Sequence, residues 1–392
     1  MLHALALLLE SVTTLLAVAG LAYFLTAMFA AARALRERSQ PLAQFAPGVT
    51  ILKSLKGLDP AMLEAFRTHC VQSYQGEYEI LFGVADAADP AIEAVQQLQS
   101  EFPDQAIRLL VCPEKLGTNG KVSTLVQMER AARYDYLLVN DSDISVSPLY
   151  LERVMACFAP TEDKPQIGLV TALYRGRAHG SLWSRFESLG ISTDFQAGVL
   201  LSKMIEGGLH YGLGSTLAAY RPALEKAGGL IGLVDQLADD YEMGARIDKA
   251  GYGVALCSDV VETSVPDYRW QDFADHQLRW LRTVRDARPG GYFGMIFMHG
   301  FAWACVNLVL SGFSTLSLWI FVTSFFVRLA MALLVGAQVL EDRQVPGLLL
   351  LVPLRDLCQM GLWVAGLFGN TIVWRGQRFV LKNGKLIGTA SR

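Results

Sequence analysis

Two long stretches almost without charge, one at each end of the chain, limit what this sequence can fold into. From Ala4 to Ala32 the only charged side chain is Glu10, in a run of Leu, Ala and Val that ends in Arg33, Arg36 and Arg38. A bilayer crossing needs about 20 apolar residues, so this run is long enough to span. A secretory leader would place its basic residues before the apolar run and a small-residue cleavage site after it; here the charges follow, which reads as a retained anchor. Those arginines put the downstream chain on the cytoplasmic side. From Met295 to Leu340 the only acidic or basic residues are His299 and Arg328, a length that fits two helices joined by a tight hairpin near Ser311 to Ser314.

A further apolar stretch, Val345 to Val373, carries Arg355 and Asp356 at its middle. Such a pair is costly against lipid and should face protein, water or the interface. The following WRGQRFVLKNGK is basic and should prefer the cytosol, yet one anchor and three full crossings would leave it outside. A re-entrant or broken segment around Arg355 reconciles the count. The expected division is an anchor over 1–38, a cytoplasmic domain over 39–294, a membrane domain over 295–373 with two spans plus a third span or re-entrant segment, and a basic tail over 374–392.

Composition supports membrane spans: 52% of the 392 residues are hydrophobic, high for a wholly soluble protein. A net charge of -3 and the absence of a basic stripe interleaved with aromatics argue against nucleic acid as a partner. The six cysteines, Cys70, Cys112, Cys157, Cys257, Cys305 and Cys358, form no C-x-x-C pair and indicate neither a disulfide framework nor a zinc site. They read as small buried hydrophobes.

Between about Gln40 and Met295 short branched-residue runs alternate with helical patterns. Val49 to Leu52, Tyr78 to Ala85, Ile107 to Val111, Tyr136 to Val139 and Leu169 to Leu173 read as strands. Ala61 to Tyr74, Pro90 to Phe102, Val122 to Ala132 and Tyr150 to Phe158 read as helices. This alternation predicts an α/β domain with a mostly parallel sheet and helices on both faces. Ligands of such sheets bind beyond the carboxyl ends of the strands, and there the sequence places its acids: Asp86 after EILFGVAD, Asp141 and Asp143 after YDYLLVN. Taken alone, D-x-D reads as a turn; at the end of a packed strand the acids are also held in place to meet a ligand.

Three later stretches add to this. In LADDYEMGARIDKAG, Asp239 and Asp240 open an amphipathic helix; either reads as an N-cap, but two acids are more than a cap needs. HQLRW, His276 to Trp280, precedes the membrane segment with Arg282, Arg285 and Arg288 and also reads as a basic patch meeting anionic headgroups. GLGSTLAAYR, Gly212 to Arg221, fits either close approach of a ligand or a tight turn. Leu189 to Met204 fits an interfacial helix at an acceptor entrance or a buried core helix.

A carboxylate pair one residue apart suits a hard cation, Mg2+ or Mn2+, shared with substrate phosphates, which would neutralise a departing diphosphate. A separate carboxylate serves as general base toward an attacking hydroxyl, and an Arg beside a Trp holds the diphosphate and shapes an acceptor pocket. Together these predict sugar transfer from a nucleotide diphosphate to an acceptor at the membrane surface.

Asp86 in VADAADPAI, the DSD of Asp141 to Asp143, ADDY at Ala238 to Tyr241 and the R-W of HQLRW resemble the D, D-x-D, D and (Q/R)-x-x-R-W series of family 2-type inverting glycosyltransferases. PGVTILKSLKGLDP, ILFGVADAADPAI, GLVTALYRGRA, AGGL and DDYEMG look more closely like the family 21 ceramide glucosyltransferase branch and its bacterial relative, the hopanoid-biosynthesis glycosyltransferase. The resemblance runs from about Pro47 to Trp280. It implies a GT-A type fold. It also implies that Asp86 contacts uracil or ribose, that Asp141 and Asp143 hold metal and diphosphate, and that Lys121 in GTNGKVS lies near the nucleotide with Asp239. Asp240 becomes the general base, with inversion at the anomeric carbon. His276, Gln277, Arg279 and Trp280 fall in the last motif: Arg279 and Trp280 toward the nucleotide sugar, His276 and Gln277 toward acceptor or diphosphate. His276 stands where Gln or Arg is usual, and a similar His occurs in the hopanoid branch.

The expected activity is therefore transfer from UDP-glucose to ceramide, with UDP-N-acetylglucosamine to bacteriohopanetetrol as the alternative. The expected location is a bacterial inner membrane with the catalytic domain cytoplasmic. A metal-dependent phosphohydrolase predicts product without any lipid acceptor. A scaffold with a degenerate nucleotide domain needs one key acid missing, and none is. A processive polysaccharide synthase threads its polymer through many spans, more than the three or four expected here.

Overall fold

The computed structural model describes residues 2–38, 43–59, 61–162, 165–374, 377–382 and 384–388. Eight strands, β1 (Val49–Leu55), β2 (Tyr78–Val84), β3 (Ile107–Val111), β4 (Tyr136–Val139), β5 (Ile144–Ser145), β6 (Ile167–Ala178), β7 (Leu217–Tyr220) and β8 (Gly253–Val265), form one sheet in the spatial order β3, β2, β1, β4, β7, β6, β8, β5. Four of its seven pairings are parallel (β3 with β2, β2 with β1, β1 with β4, β6 with β8); β4 with β7, β7 with β6 and β8 with β5 are antiparallel. The expected parallel order thus holds for the first four strands, and the second half of the domain mixes directions.

Strands buried on both faces are uniformly apolar, and successive side chains serve opposite cores. Ile51, Ile80 and Leu138 face the core built with helices Met62–Cys70, Ala91–Glu101 and Tyr150–Ala156. Leu52, Leu81 and Leu137 face the core built with helices Gly120–Ala131 and Asp239–Lys249. The first core continues without a break into Phe24, Ala27, Phe301, Met331 and Val335 of the apolar helices, so the α/β domain and the helical bundle form one packed body. The described cysteines are all unpaired, Cys112 and Cys257 buried and the other four half-buried.

Among the described residues four helices are long and apolar enough to cross a membrane: His3–Arg38, Pro289–Leu310, Thr315–Val339 and Val345–Gly366. The first and second cross where Gly20 meets Gly300; a Cβ on Gly20 would lie 2.2 Å from the Gly300 Cα, the close approach that small residues allow between membrane helices. Asn307 Nδ2 donates to Thr14 Oγ1 at 2.7 Å across the same interface.

The path of the chain after these helices bears on the third apolar stretch. Beyond Thr315–Val339 the loop settles on β6: Arg175 Nη1 donates to Leu340 O at 3.0 Å, and Gln344 Nε2 to Gly176 O at 3.0 Å. Beyond Val345–Gly366 the chain meets helix Trp270–Ala287, where Arg285 Nη1 donates to Gly366 O at 2.6 Å and Arg282 Nη2 to Phe368 O at 3.0 Å. Both ends of Val345–Gly366 therefore rest on the α/β domain. The basic segment after it is not a loose tail: Thr371–Trp374, Gln377–Lys382 and Lys385–Gly388 form an antiparallel sheet. This sheet docks beside Leu237, whose N–H donates to Gly384 O at 3.1 Å, while the Leu386 N–H donates to Asp235 O at 3.1 Å. Residues 389–392 lie outside the described ones. Leu189 to Met204 falls within one helical run over 182–205, largely buried against the anchor helix, which is the core alternative of the two expected.

Candidate functional site

β4 ends where its neighbours change from parallel β1 to antiparallel β7, and the acids follow at that switch. Asn140, 1% exposed, ties the strand end down. Its Nδ2 donates to Tyr150 Oη at 2.9 Å and to Ser215 O at 2.7 Å. Beyond this anchor, Asp143 accepts from Thr263 Oγ1 of β8, and Asp141 meets Lys121 Nζ at 2.6 Å. Burial first, then the Asp141 charge, pushes the Asp143 carboxyl up to about 6. The fully buried Lys53 of β1 donates to Asp141 O at 3.0 Å; burial pushes its amine down to about 7, against the pull of Asp143 and Asp141.

Asp239 and Asp240 open helix Asp239–Lys249, but neither caps it, for the cap is Ala238 and makes no side-chain bond. Both carboxylates are therefore left to the site. Asn119 Nδ2 donates to Asp239 Oδ1 at 3.4 Å, and Lys121 Nζ lies 3.9 Å from the other oxygen. Burial opposes the Lys121 charge, but Asp141 and Asp239 hold the ammonium above the usual lysine range. Burial, then the Asp239 charge, raises Asp240 to about 6; burial likewise raises Asp239. The glycines of GLGST seat this helix: a Cβ on Gly244 would lie 2.2 Å from Gly212 N, and one on Gly214 3.0 Å from Asp240 Oδ2. Of the two expected uses of that stretch, the tight turn is present, the Thr216 N–H donating to Leu213 O at 3.1 Å; its glycines also pack closely under Asp240, and its LAAY portion is strand β7.

Helix Trp270–Ala287 closes the third side. His276 Nδ1 lies 3.1 Å from Glu187 Oε1, and Gln277 Nε2 donates to Glu187 Oε2 at 2.6 Å. Burial works against the Glu187 charge, but His276 and Gln277 hold its carboxyl below the usual range. Gln277 is buried in that bond, on the helix face that packs on Glu187, while His276 reaches the other oxygen of the same carboxylate. Trp280 stands near His276 (centroids 5.3 Å apart) and Phe195 (5.8 Å). Arg279 is desolvated, which lowers its pKa, against the opposing charges of Glu187, Asp141 and Asp240. One cation thereby senses acids from three separate elements.

The structure brings Asp141, Asp143, Lys121, Asp239, Asp240, Arg279, Trp280 and His276 around one mouth of the sheet. Asp86 lies just past the end of β2, exposed, its carboxylate accepting from the Ala88 N–H at 2.9 Å. Among the described residues no three His, Cys, Asp or Glu side chains converge as a metal ligand set. The pair Asp141 and Asp143 nonetheless suits a hard cation: both offer oxygen, and Asp141 keeps 43% of its side chain exposed, leaving remaining positions to phosphate oxygens. Sequence reasoning missed Glu187, Lys53, Tyr174 and Phe195. A lone acid in the apolar LWSRFESLG and a lone cation in the strand VTILKSL were available signals, because charges buried in such runs need partners.

The family model described as glycosyl transferase family 21 matches residues 12–387. Ceramide glucosyltransferase 3 of Caenorhabditis elegans is 25% identical over 249 residues, 60% of this chain and 50% of the relative. Ceramide glucosyltransferase 1 of the same organism is 22% identical over 361 residues, 88% of this chain and 74% of the relative. The chain thus spans half the length of the first and about three quarters of the second. Among solved structures, a mannosyltransferase from Pyrobaculum calidifontis in complex with GDP-Man and Mn2+ superposes with a TM-score of 0.52 at 18% identity, covering 92% of this chain and 97% of that one. That likeness is one of fold, GT-A-like with a mixed α/β sheet.

Proposed function

This chain belongs to glycosyl transferase family 21, and from that premise we propose that it is an inverting transferase carrying glucose from UDP-glucose to the hydroxyl of ceramide at a membrane surface. The observation that carries the reading is the meeting of the D-x-D pair, Asp240 and Arg279 at one strand-end mouth, in a body continuous with apolar helices. The names of the worm relatives support the substrate pair. Asp240, raised to about 6, takes the proton of the acceptor hydroxyl at neutral pH, where a base with that pKa is ionised and still basic. The oxygen attacks the anomeric carbon opposite the diphosphate; the new C–O bond forms as the bond from carbon to the β-phosphate oxygen breaks, and UDP leaves with inversion. Lys121 and Arg279 supply positive charge along the diphosphate. Asp141 and Asp143 would hold Mg2+ or Mn2+, which when bound neutralises diphosphate charge. Asp86, exposed beyond β2, is free to reach uracil or ribose.

A second reading, UDP-N-acetylglucosamine to bacteriohopanetetrol, uses the same chemistry; it is favoured by His276 at the first position of the last motif, where Glu187 holds it. Either transfer requires that UDP release depend on lipid. Equal release without lipid would instead favour a phosphohydrolase. Asp141→Ala and Asp143→Ala are each expected to weaken Mn2+-dependent UDP binding by at least about tenfold, in line with the cost of perturbing metal sites. Titration calorimetry with and without Mn2+ measures this, and unchanged curves would refute the ligand assignment.

The catalytic domain lies on the cytoplasmic face, an orientation that rests on Arg33, Arg36 and Arg38 after the anchor. Pro289–Leu310 and Thr315–Val339 cross and return, while Val345–Gly366 stays at the interface on the domain side, because both of its ends bond to that domain. In inside-out vesicles of a bacterial inner membrane, protease should therefore remove a C-terminal tag, and a cysteine placed by Gly312→Cys should react only from the opposite side. A protected tag would mean three full crossings.

A further inference from the structure

The helical run over 182–205 changes pitch where the catalytic domain meets the apolar bundle. Ile191–Phe195 is a π-turn, closed by the Gln196 N–H donating to Ile191 O. Such turns insert a residue into an α-helix and recur at functional sites. Here two adjacent residues are sent to different neighbours. Asp194 accepts from Arg328 Nη2 at 2.6 Å and pairs with Arg355, both on apolar helices. Phe195 turns to the site, its ring centroid 5.8 Å from Trp280 and 5.7 Å from Tyr174.

Tyr174 lies two residues along β6 from Ala172, whose carbonyl accepts from Ser215 Oγ at 3.4 Å, and a Cβ on the adjoining Gly214 would lie 3.0 Å from Asp240 Oδ2. Phe195 and Trp280 are only half-buried, so part of each aromatic face stands open on the Tyr174 side of the site. A second π-turn, Leu333–Val339, packs on the first, and Ser192 Oγ donates to Asp342 Oδ2 at 2.7 Å just beyond it. The position of Phe195 is thus set by contacts to the bundle, not by its own helix alone.

From this geometry we propose that Phe195 is a specificity-determining residue for the acceptor. With Trp280 it forms the aromatic wall against which the apolar body of a lipid alcohol rests while its hydroxyl reaches Asp240, and Asp194 is the positioning residue that fixes the wall. The inference deepens the lipid-acceptor reading above and rests on it. Phe195 offers a broad apolar face with no polar handle, which suits a hydrocarbon next to a hydroxyl and gives a nucleotide's phosphates nothing to bind.

The test uses the full-length protein in nanodiscs, with initial rates on UDP-glucose and ceramide and, separately, labelling by a diazirine-bearing ceramide. Phe195→Ala is expected to raise the acceptor KM by about tenfold with the donor KM moving less than about twofold, the pattern of lost acceptor binding. Labelling of the peptide that carries Trp280 should fall with it. Asp194→Asn should give the same split, and Asp194→Glu should recover part of it, whereas a merely structural role would lower melting temperature and kcat without separating the two KM values. Where Phe195→Ala does not fold, Phe195→Leu gives the same readout with a smaller change. Donor and acceptor KM rising together, or label confined to the membrane helices, would overturn the inference. If the intact protein transfers sugar to no lipid, the acceptor reading fails; the labelling still decides this inference, supporting it if Phe195 and Trp280 peptides are marked and overturning it if they are not.

Discussion

Asp240→Asn should lower lipid glycosylation by about two to four orders of magnitude, the usual worth of a positioned general base, while UDP binding persists. Asn keeps the shape and the bond from the Tyr241 N–H, 2.8 Å in the native protein, but cannot take the acceptor proton. The pH dependence carries a second signature. Because burial and then the Asp239 charge raise Asp240 to about 6, activity should fall as pH drops through that value and the base becomes protonated. Asp239→Asn removes the like charge, so it should move that acid limb to lower pH. Stability has the opposite sign: a carboxyl raised in the fold costs stability once pH exceeds its unfolded value, and most fully above its folded one. At neutral pH, Asp240→Asn should therefore raise the melting temperature. Normal turnover in the variant would sink the base assignment.

Arg328→Ala should produce the largest loss of stability. Arg328 is 1% exposed, and its guanidinium donates to Asp356 Oδ2 at 2.8 Å and Asp194 Oδ1 at 2.6 Å. Removing one member of a buried ionic network strands the others and costs about 3–5 kcal/mol, a large part of the roughly 5–15 kcal/mol typical of a folded domain. Thermal unfolding in detergent measures this. Because the network joins Thr315–Val339, Val345–Gly366 and the α/β domain, unfolding should also lose its single transition. A variant as stable as the native protein would mean that these charges are satisfied by water rather than by each other.

The first four strands were legible because parallel strands buried on both faces are short, uniform apolar runs with turn residues at their ends. β7 was hidden inside the glycine-rich GLGSTLAAYR, whose four strand residues carry no pattern of their own. β5 has two residues and exists only by pairing with β8. The C-terminal sheet looked like a tail because its strands are short and Arg378, Lys382 and Lys385 stand at or near their ends, and only docking on Asp235 to Leu237 gives the apolar side something to cover. In the site, strand-end acids announced themselves by position. Glu187 and Phe195 did not, since their roles depend on which helix crosses them and on a π-turn set by tertiary contacts.

The most direct test of the account is product analysis by mass spectrometry, using the purified protein in detergent with Mg2+ or Mn2+ and UDP-glucose or UDP-N-acetylglucosamine in turn. Ceramide, diacylglycerol and bacteriohopanetetrol serve as acceptors. The account predicts a hexosyl-ceramide whose anomeric configuration is inverted relative to the donor, with an N-acetylglucosaminyl hopanoid as the result that selects the second reading. UDP released with no glycolipid under any pairing would contradict it.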